Sequence, residues 1–317
     1  VNASQQLPAM IKAVQVDTYG GIDALHCKDI LMPVPDAGQV LVQVHAAGVG
    51  PWDAWIRSGK SVLPQPLPLT LGSDISGTVV QVGPDVQNIK PGDQVFGVTN
   101  PRFTDGYAEY AIAHANMISA KPAKLSHEEA ASAPVIAVTA WQMLFDKAKL
   151  LPSQRVLIHG GAGNVGAYAV QLANMVGAHV IATASNEQAD FVRSLGATEI
   201  IEARTGSFDE YRGSIDAVID LVGGDALEQS LEVLKPGGVL VSAVAEPDRH
   251  KADAHNVRAS FMLVAVNSEV LAKLAKLFDA GKLKTRIGDV LPLAQARLAH
   301  EMLDGKKHKP GKILLIP

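Results

Sequence analysis

The run Arg155-Val-Leu-Ile-His159 is short, apolar and β-branched. It leads directly into Gly160-Gly161-Ala162-Gly163-Asn164-Val165-Gly166, and then into Ala167-Tyr-Ala-Val-Gln-Leu-Ala173. A buried strand turning tightly into an amphipathic helix is the geometry that fits this text. In Gly161-x-Gly163-x-x-Gly166 the first glycine permits the sharp turn. The second lets a pyrophosphate approach the backbone, and the third lets the helix pack close to the strand. The free N–H groups and positive dipole end of the helix would face that phosphate. Gly161, Ala162, Gly163, Asn164, Val165 and Gly166 are therefore candidate cofactor contacts.

The text around this unit alternates. Strands are expected at 155–159, 178–183, 198–201, 215–221, 238–243 and near 261–266. Helices are expected at 163–176, 187–195, 225–234 and 268–280, with a short segment near 207–212. Such alternation builds a parallel sheet with right-handed crossovers. The region before it reads differently. Ile11–Val16, Gln39–His45, Ile75–Val82 and Asp93–Val98 are strand-like, separated by Pro33-x-Pro35, Gly83-Pro84 and Pro91-Gly92. Leu63-Pro-Gln-Pro-Leu-Pro-Leu69 can enter neither ladder nor helix and reads as a surface loop. Ser126-His-Glu-Glu129 is a capping box opening an alanine-rich helix, and Pro134 opens a second through about Lys149. From about Lys284 the chain gives a strand, a helix over 293–303 and a final strand, Lys312–Ile316, expected to return to the first domain.

A chain of 317 residues suits two domains. The division expected is a polar, frayed extension over 1–9, a β-rich domain over 10–130 and 284–317, and a nucleotide-binding domain over 131–283. The net charge of −4 argues against nucleic acid or an anionic membrane as partner. The single cysteine, Cys27, can build neither an internal disulfide nor a cysteine zinc cluster, which points to a reducing cytoplasm. No apolar stretch of about 18 residues suggests a membrane span. The start of the chain lacks a signal-peptide pattern, so Asn2-Ala3-Ser4 reads as a chance sequon.

Several phrases carry a resemblance. Ile56-Arg-Ser-Gly59, Gly72-Ser-Asp74-Ile-Ser-Gly77, Gly106-Tyr-Ala-Glu-Tyr110, Leu125-Ser-His-Glu-Glu-Ala-Ala131, Leu150–Gly160, Ile219-Asp-Leu-Val-Gly223 and Gly311-Lys-Ile-Leu-Leu315 resemble the medium-chain dehydrogenase/reductase superfamily. Within it they look like the zinc-independent quinone oxidoreductase, or zeta-crystallin-like, branch. The resemblance runs from Met10 to Pro317. It implies an α/β fold in which a GroES-like β-rich catalytic domain accompanies a Rossmann doubly wound sheet. Zinc-dependent relatives place ligands where this chain has Gly50, Ser73-Asp74 and Val135, so no metal is expected; one carboxylate cannot replace the roughly three ligands that a catalytic zinc requires.

The second strand of the dinucleotide fold ends Ile181-Ala-Thr-Ala-Ser185-Asn186, without the acid that grips a ribose 2′-hydroxyl in NAD-binding folds. Ser185 and Arg204 can instead meet a 2′-phosphate, so NADPH is the expected cofactor. The resemblance implies that the nicotinamide lies at a domain cleft. Thr139 would sit near its carboxamide, unless that hydroxyl bonds its own helix. Val266 and Asn267 would offer backbone groups, with Val222, Gly223, Ser242 and Ala243 bordering the cofactor.

On the substrate side stands Gly50-Pro51-Trp52-Asp53-Ala54-Trp55. Relatives commonly carry asparagine at position 50 and an aromatic, often tyrosine, at 55. Trp52 and Trp55 could wall a flat ring or enone, or pack as core. Asp53 either caps the following turn or takes a catalytic part; the proton for reduction comes from solvent or through Tyr107 or Asp53, and the sequence singles out neither residue. The reading is an NADPH-dependent reductase of quinones or α,β-unsaturated carbonyls. An enoyl-thioester reductase, using Lys306-Lys307-His308-Lys309 for a carrier phosphate, and a non-catalytic NADPH-binding sensor or structural protein are the alternatives. A homodimer through the nucleotide domain's edge strand, near Phe261–Val266, is the expected assembly.

Overall fold

The computed structural model describes residues 7–63 and 65–317. The sequon and most of the expected N-terminal extension lie outside the described residues, as does Pro64 of the proline-rich loop. The chain forms two compact units. One runs to Val135 and resumes at Val266–Pro317; the other is Ile136–Ala265. Those divisions differ from the boundaries at 130/131 and 283/284 read from the sequence. The helix Ser268–Asp279 belongs to the first unit, where Asp279 Oδ1 accepts the Lys124 N–H at 3.1 Å.

In the first unit, Gln39–Val49 is the hub of a seven-stranded sheet. It pairs antiparallel with Asp74–Val82, Tyr110–His114 and the terminal Lys312–Ile316. A three-stranded sheet adds Leu25–Leu31, Met10–Val16 and Leu69–Thr70. Period-two alternation sends Val40, Val42 and Val44 inward, and they join Val14, Ile75, Tyr107 and Leu315 in one core. The strand Leu25–Leu31 has a polar centre, Leu25-His-Cys-Lys-Asp-Ile-Leu31, and mostly exposed side chains. Its text therefore carries little strand signal.

In the second unit, six parallel strands lie in the order Glu199–Glu202, His179–Ala184, Arg155–Ile158, Ile215–Asp220, Leu234–Ser242, Arg258–Phe261. The order reverses about Arg155–Ile158, and the carboxyl ends on either side of such a switch point define a ligand crevice. Near-continuous burial of Val156–Ile158 and Ala217–Asp220 is what a sheet covered on both faces requires. Two details depart from the sequence reading. The last strand is Arg258–Phe261, so Met262–Val266, where a strand was expected, lies beyond it. The helix Arg249–Ala254, capped by Asp248, was not anticipated, because its short charged text has no apolar period.

Candidate functional site

The glycine turn joins Arg155–Ile158 to the helix Asn164–Met175. Its left-handed residue is Gly160 (φ +75°), not Gly161, so the sharp turn falls one position earlier than the motif suggested. Gly161 is needed for packing instead: a Cβ there would come within 2.8 Å of Ala182 Cβ on the neighbouring strand. A Cβ on Gly166 would meet Gly160 O at 2.0 Å, so the third glycine does let helix and turn close together. Gly163 and Asn164, at the helix start, are exposed. Thr183 fastens the turn from the next strand. Its Oγ1 accepts the Gly160 N–H at 2.9 Å, and its carbonyl accepts the Gly161 N–H at 2.9 Å.

Beside the turn, the strand Ile215–Asp220 ends in a carboxylate wholly closed to solvent. Asp220 Oδ1 accepts the N–H groups of Val222 (3.1 Å) and Gly223 (2.9 Å), while Oδ2 accepts Ser242 Oγ–H (2.7 Å). Ser242 Oγ in turn accepts from Val244 and Ala245 N–H. Asp220 thus ties together the loops carrying Val222, Gly223, Ser242 and Ala243. The sequence reading passed over it, although a carboxylate closing an apolar strand was a visible signal. The exposed side chains of Val222 and Val244 give these loops an apolar lip. His159, buried under the turn, bonds Ser230 Oγ at 2.9 Å. Burial pulls it down to about 4, which makes it a neutral peg near pH 7.

At the tip of the second strand, Ser185 is half-buried with no hydrogen bond to its hydroxyl among the described residues, and the exposed Arg204 guanidinium makes no hydrogen bond or ion pair there, although its charge helps to lower the Glu202 carboxyl. Glu202 shapes the turn that carries Arg204. Its Oε2 accepts Arg204 N–H (2.8 Å), Thr205 N–H (2.7 Å) and Thr205 Oγ1–H (2.8 Å), and these bonds hold its carboxyl below the usual range. Thr139 is buried on the helix Pro134–Trp141. That helix continues as a π-helical turn, Gln142–Lys147, rather than as α-helix to Lys149. The amide of Gln142 clamps Ala265 in both directions (2.8 and 3.1 Å), fixing the chain just before Val266. The Asn267 side chain caps the next helix through Val270 N–H at 2.9 Å.

In the first unit, the short helix Pro51–Arg57 carries the substrate-side candidates. The indole of Trp52 folds back over Gly50; a Cβ there would lie 2.3 Å from Cη2. Its Nε1–H donates to Ser73 Oγ at 3.3 Å, and the Lys312 ammonium lies 4.4 Å from the centre of its ring. Lys312 is buried and donates to Asp74 Oδ2 at 2.9 Å, while Asp74 Oδ1 accepts the Val135 N–H at 3.0 Å. Positions 50, 73, 74 and 135 are where the resemblance places zinc ligands. Here they offer no side chain, an engaged hydroxyl, a carboxylate with both oxygens used, and a valine. These residues do not fit a zinc, which needs about three protein donors. An ammonium against the one carboxylate would also repel the ion. Among the described residues no group of three or more His, Cys, Asp or Glu side chains is arranged to hold a metal.

Asp53 and Tyr107 are both fully buried. Asp53 Oδ2 accepts the Gly50 N–H (2.8 Å) and the Tyr107 hydroxyl (2.7 Å), and Oδ1 has no partner. Burial pushes Asp53 up to about 7 against the pull of those bonds, and burial together with Asp53 pushes the Tyr107 phenol well above its usual value. Gly72 (φ +81°) leaves the space that the Tyr107 ring fills. Neither oxygen faces solvent, and through the Gly50 N–H and the Tyr107 hydroxyl the pair fastens the turn into the helix. Trp55 does not join them; it is 54% exposed on the outside of the helix. In the basic run, Lys306 is paired with Glu301, which leaves a solvated loop.

Comparison with known proteins identifies the family. Residues 36–123 match the family model described as alcohol dehydrogenase GroES-like domain, and residues 195–315 match that described as zinc-binding dehydrogenase. A quinone oxidoreductase of Sus scrofa is 32% identical, covering 97% of this chain and 98% of its own. The mitochondrial NAD(P)H oxidoreductase RTN4IP1 of Danio rerio is 30% identical over 95% of this chain and 89% of its own. The solved structure of a quinone oxidoreductase from Coxiella burnetii superposes with a TM-score of 0.88 at 37% identity, covering 97% of this chain and 99% of that one.

Proposed function

Because the chain belongs to the quinone-oxidoreductase type of the medium-chain dehydrogenase/reductase superfamily, a family of NAD(P)H-dependent oxidoreductases, we propose that it reduces quinones or α,β-unsaturated carbonyls with NADPH and without zinc. The observation that carries this reading is the indole of Trp52 over Gly50, with Lys312 and Asp74 paired behind it. An alcohol whose oxidation runs through a metal-bound alkoxide needs a Lewis acid. A quinone or enone does not, because the incoming hydride's charge is delocalised onto an oxygen that solvent can protonate.

The nicotinamide supplies the hydride when bound; the chain supplies binding, orientation and exclusion of water. In this reading Gly163 and Asn164 receive the pyrophosphate at the helix start, and Ser185 and Arg204 receive the 2′-phosphate. Val222 and Val244 cover the apolar part of the cofactor. Trp52 presents a flat apolar wall to the acceptor. Asp53 and Tyr107 hold that wall, and the proton comes from solvent. The test follows NADPH absorbance, with chelator present, on 1,2-naphthoquinone, an alkenal, a cyclic enone and crotonyl-CoA. Turnover of the first three supports the reading. Turnover of crotonyl-CoA alone makes it an enoyl-thioester reductase, and tight NADPH binding with no turnover makes it a sensor.

We also infer a cytoplasmic homodimer. Its support is the edge strand Arg258–Phe261, whose open side is free to pair with a second copy. No helix among the described residues is long and apolar enough to cross a membrane. A monomer by sedimentation at micromolar concentration would refute the dimer.

A further inference from the structure

At the amino ends of the nucleotide-binding strands, opposite the glycine turn, lies a hollow of about 330 Å³. Its lining is mixed and slightly more polar than apolar; Ala148, Pro236, Val239 and Leu151 supply the apolar part, and Leu151 is 60% exposed. Three cations surround it: Lys149, Lys235 and Arg258. The one carboxylate among the lining residues is Asp216. It is already used, since Oδ1 pairs with Lys235 at 2.8 Å and Oδ2 accepts the Arg155 N–H at 2.8 Å. Lys149 and Arg258 are exposed, and neither side chain has a partner among the described residues. Three positive groups and one carboxylate line a concave surface that also carries apolar side chains.

Lys149 adds a second, independent observation. It stands just past the end of the helical segment with φ +54°, where the Ala148 N–H reaches back to Met143 O and the Leu150 N–H to Leu144 O. This is the left-handed position after a helix, which glycine or asparagine fills at lower cost. A lysine held there at the expense of backbone strain, beside a hollow whose one carboxylate is already paired, is the pattern expected where function opposes stability.

We propose that this hollow binds a small organic anion, a phosphate or carboxylate carried on an apolar ring or chain. The Arg258 guanidinium would take the anion through paired N–H donors, with the Lys149 ammonium beside it. The apolar body would lie on Pro236 and Val239 against Leu151. The volume falls at the lower end of the range for small-ligand sites, about 300–1,000 Å³, which suits a single ring with its charged group. The site is separate from the nucleotide crevice, because its residues stand at the opposite ends of the same strands.

Titration of the full chain with phenyl phosphate, followed by calorimetry, tests the proposal. Inorganic phosphate and phenol serve as the charge-only and ring-only arms. Phenyl phosphate should bind at least about tenfold more tightly than either arm. Arg258→Ala with Lys149→Gly should weaken it by about tenfold or more. Arg204→Ala should leave it unchanged, which separates this hollow from the 2′-phosphate position. Lys149→Gly alone should raise the melting temperature while weakening the probe, an opposition that a merely structural lysine would not produce. Absence of saturable phenyl phosphate binding would overturn the proposal, as would equal affinity in the double variant or loss of affinity in Arg204→Ala.

Discussion

The indole of Trp52 occupies the space that a side chain on Gly50 would need, with three ring carbons between 2.3 and 2.5 Å from an ideal Cβ at that position. The Gly50 backbone is extended (φ −134°, ψ 161°), so any residue could adopt it. Glycine is required there by packing alone. Gly50→Ala should therefore force the indole out and cost about 1–3 kcal/mol. Gly50→Ala combined with Trp52→Ala should cost less than the sum of the two single changes. Urea denaturation of the three variants measures this, and strict additivity would show that the two residues do not compete for the space.

Lys312 and Asp74 meet in a region closed to water, with relative exposures of 1% and 0%. Burial raises the Asp74 carboxyl, while the charge and hydrogen bond of Lys312 pull it back down. Replacing Lys312 with Met leaves a buried carboxylate without its cation, and breaking such a pair typically costs about 3–5 kcal/mol. The double variant Lys312→Met, Asp74→Leu removes both charges and should recover most of that loss. Tryptophan emission should also change in Lys312→Met, because the ammonium lies against the Trp52 ring. A double variant no more stable than the single one would refute this account of the pair.

Asp53 provides a pH signature. Its carboxyl lies at about 7 in the folded protein, above its ordinary 3.8, chiefly because it is buried. Between those values the unfolded chain releases a proton that the folded chain keeps, so stability falls as pH rises through this window and levels off above about 7. Below the lower value the penalty is absent. Both hydrogen bonds converge on Oδ2, so the single carbonyl oxygen of an asparagine can accept them without a charge to bury. Asp53→Asn should match the parent near pH 4 and exceed it at pH 8 by an amount on the order of 2–4 kcal/mol. Urea midpoints at the two pH values measure the difference; a gap that stays constant with pH would contradict the buried-charge account. Retention of turnover in this variant would agree with a positioning role for Asp53 and exclude proton transfer by it.

What the sequence disclosed about the fold follows the range of the interactions. The strand, glycine turn and helix over 155–175 are set by neighbours along the chain, so their text predicts them. The alternation that follows fixes a parallel sheet in the same way. The division of labour among the glycines was less legible. Whether Gly160 or Gly161 takes the left-handed conformation depends on how Thr183, on another strand, holds the two N–H groups. The substrate side was legible only as missing residues. That an indole fills the place of a ligand, and that a lysine 238 positions beyond Asp74 pairs with it, are facts of tertiary packing with no local signature. Asp220 and Lys312 did leave a faint trace, as charged residues embedded in otherwise apolar strands, where a charge is costly unless paired.

In the proposed reading, cofactor choice rests on a few groups at the carboxyl ends of two strands, the half-buried Ser185 and the exposed Arg204 among them. Ala184 pairs in register with Glu202, so Ser185 and the turn holding Arg204 begin side by side. A 2′-phosphate bound there would gain the Arg204 guanidinium and the unbonded Ser185 hydroxyl, while the Glu202 carboxylate in the same turn would oppose it. Arg204→Ala should therefore weaken NADPH by about tenfold and leave NADH nearly unchanged. Ser185→Asp should weaken NADPH further and strengthen NADH, because it restores an acceptor for the free 2′-hydroxyl. Glu202→Gln should strengthen NADPH modestly, with the effect shrinking as salt is raised, because the group is exposed. Dissociation constants from quenching of tryptophan emission measure all three. If Arg204→Ala lowered affinity for both nucleotides equally, Arg204 would be contacting a part they share, and the preference for NADPH would lose its main support.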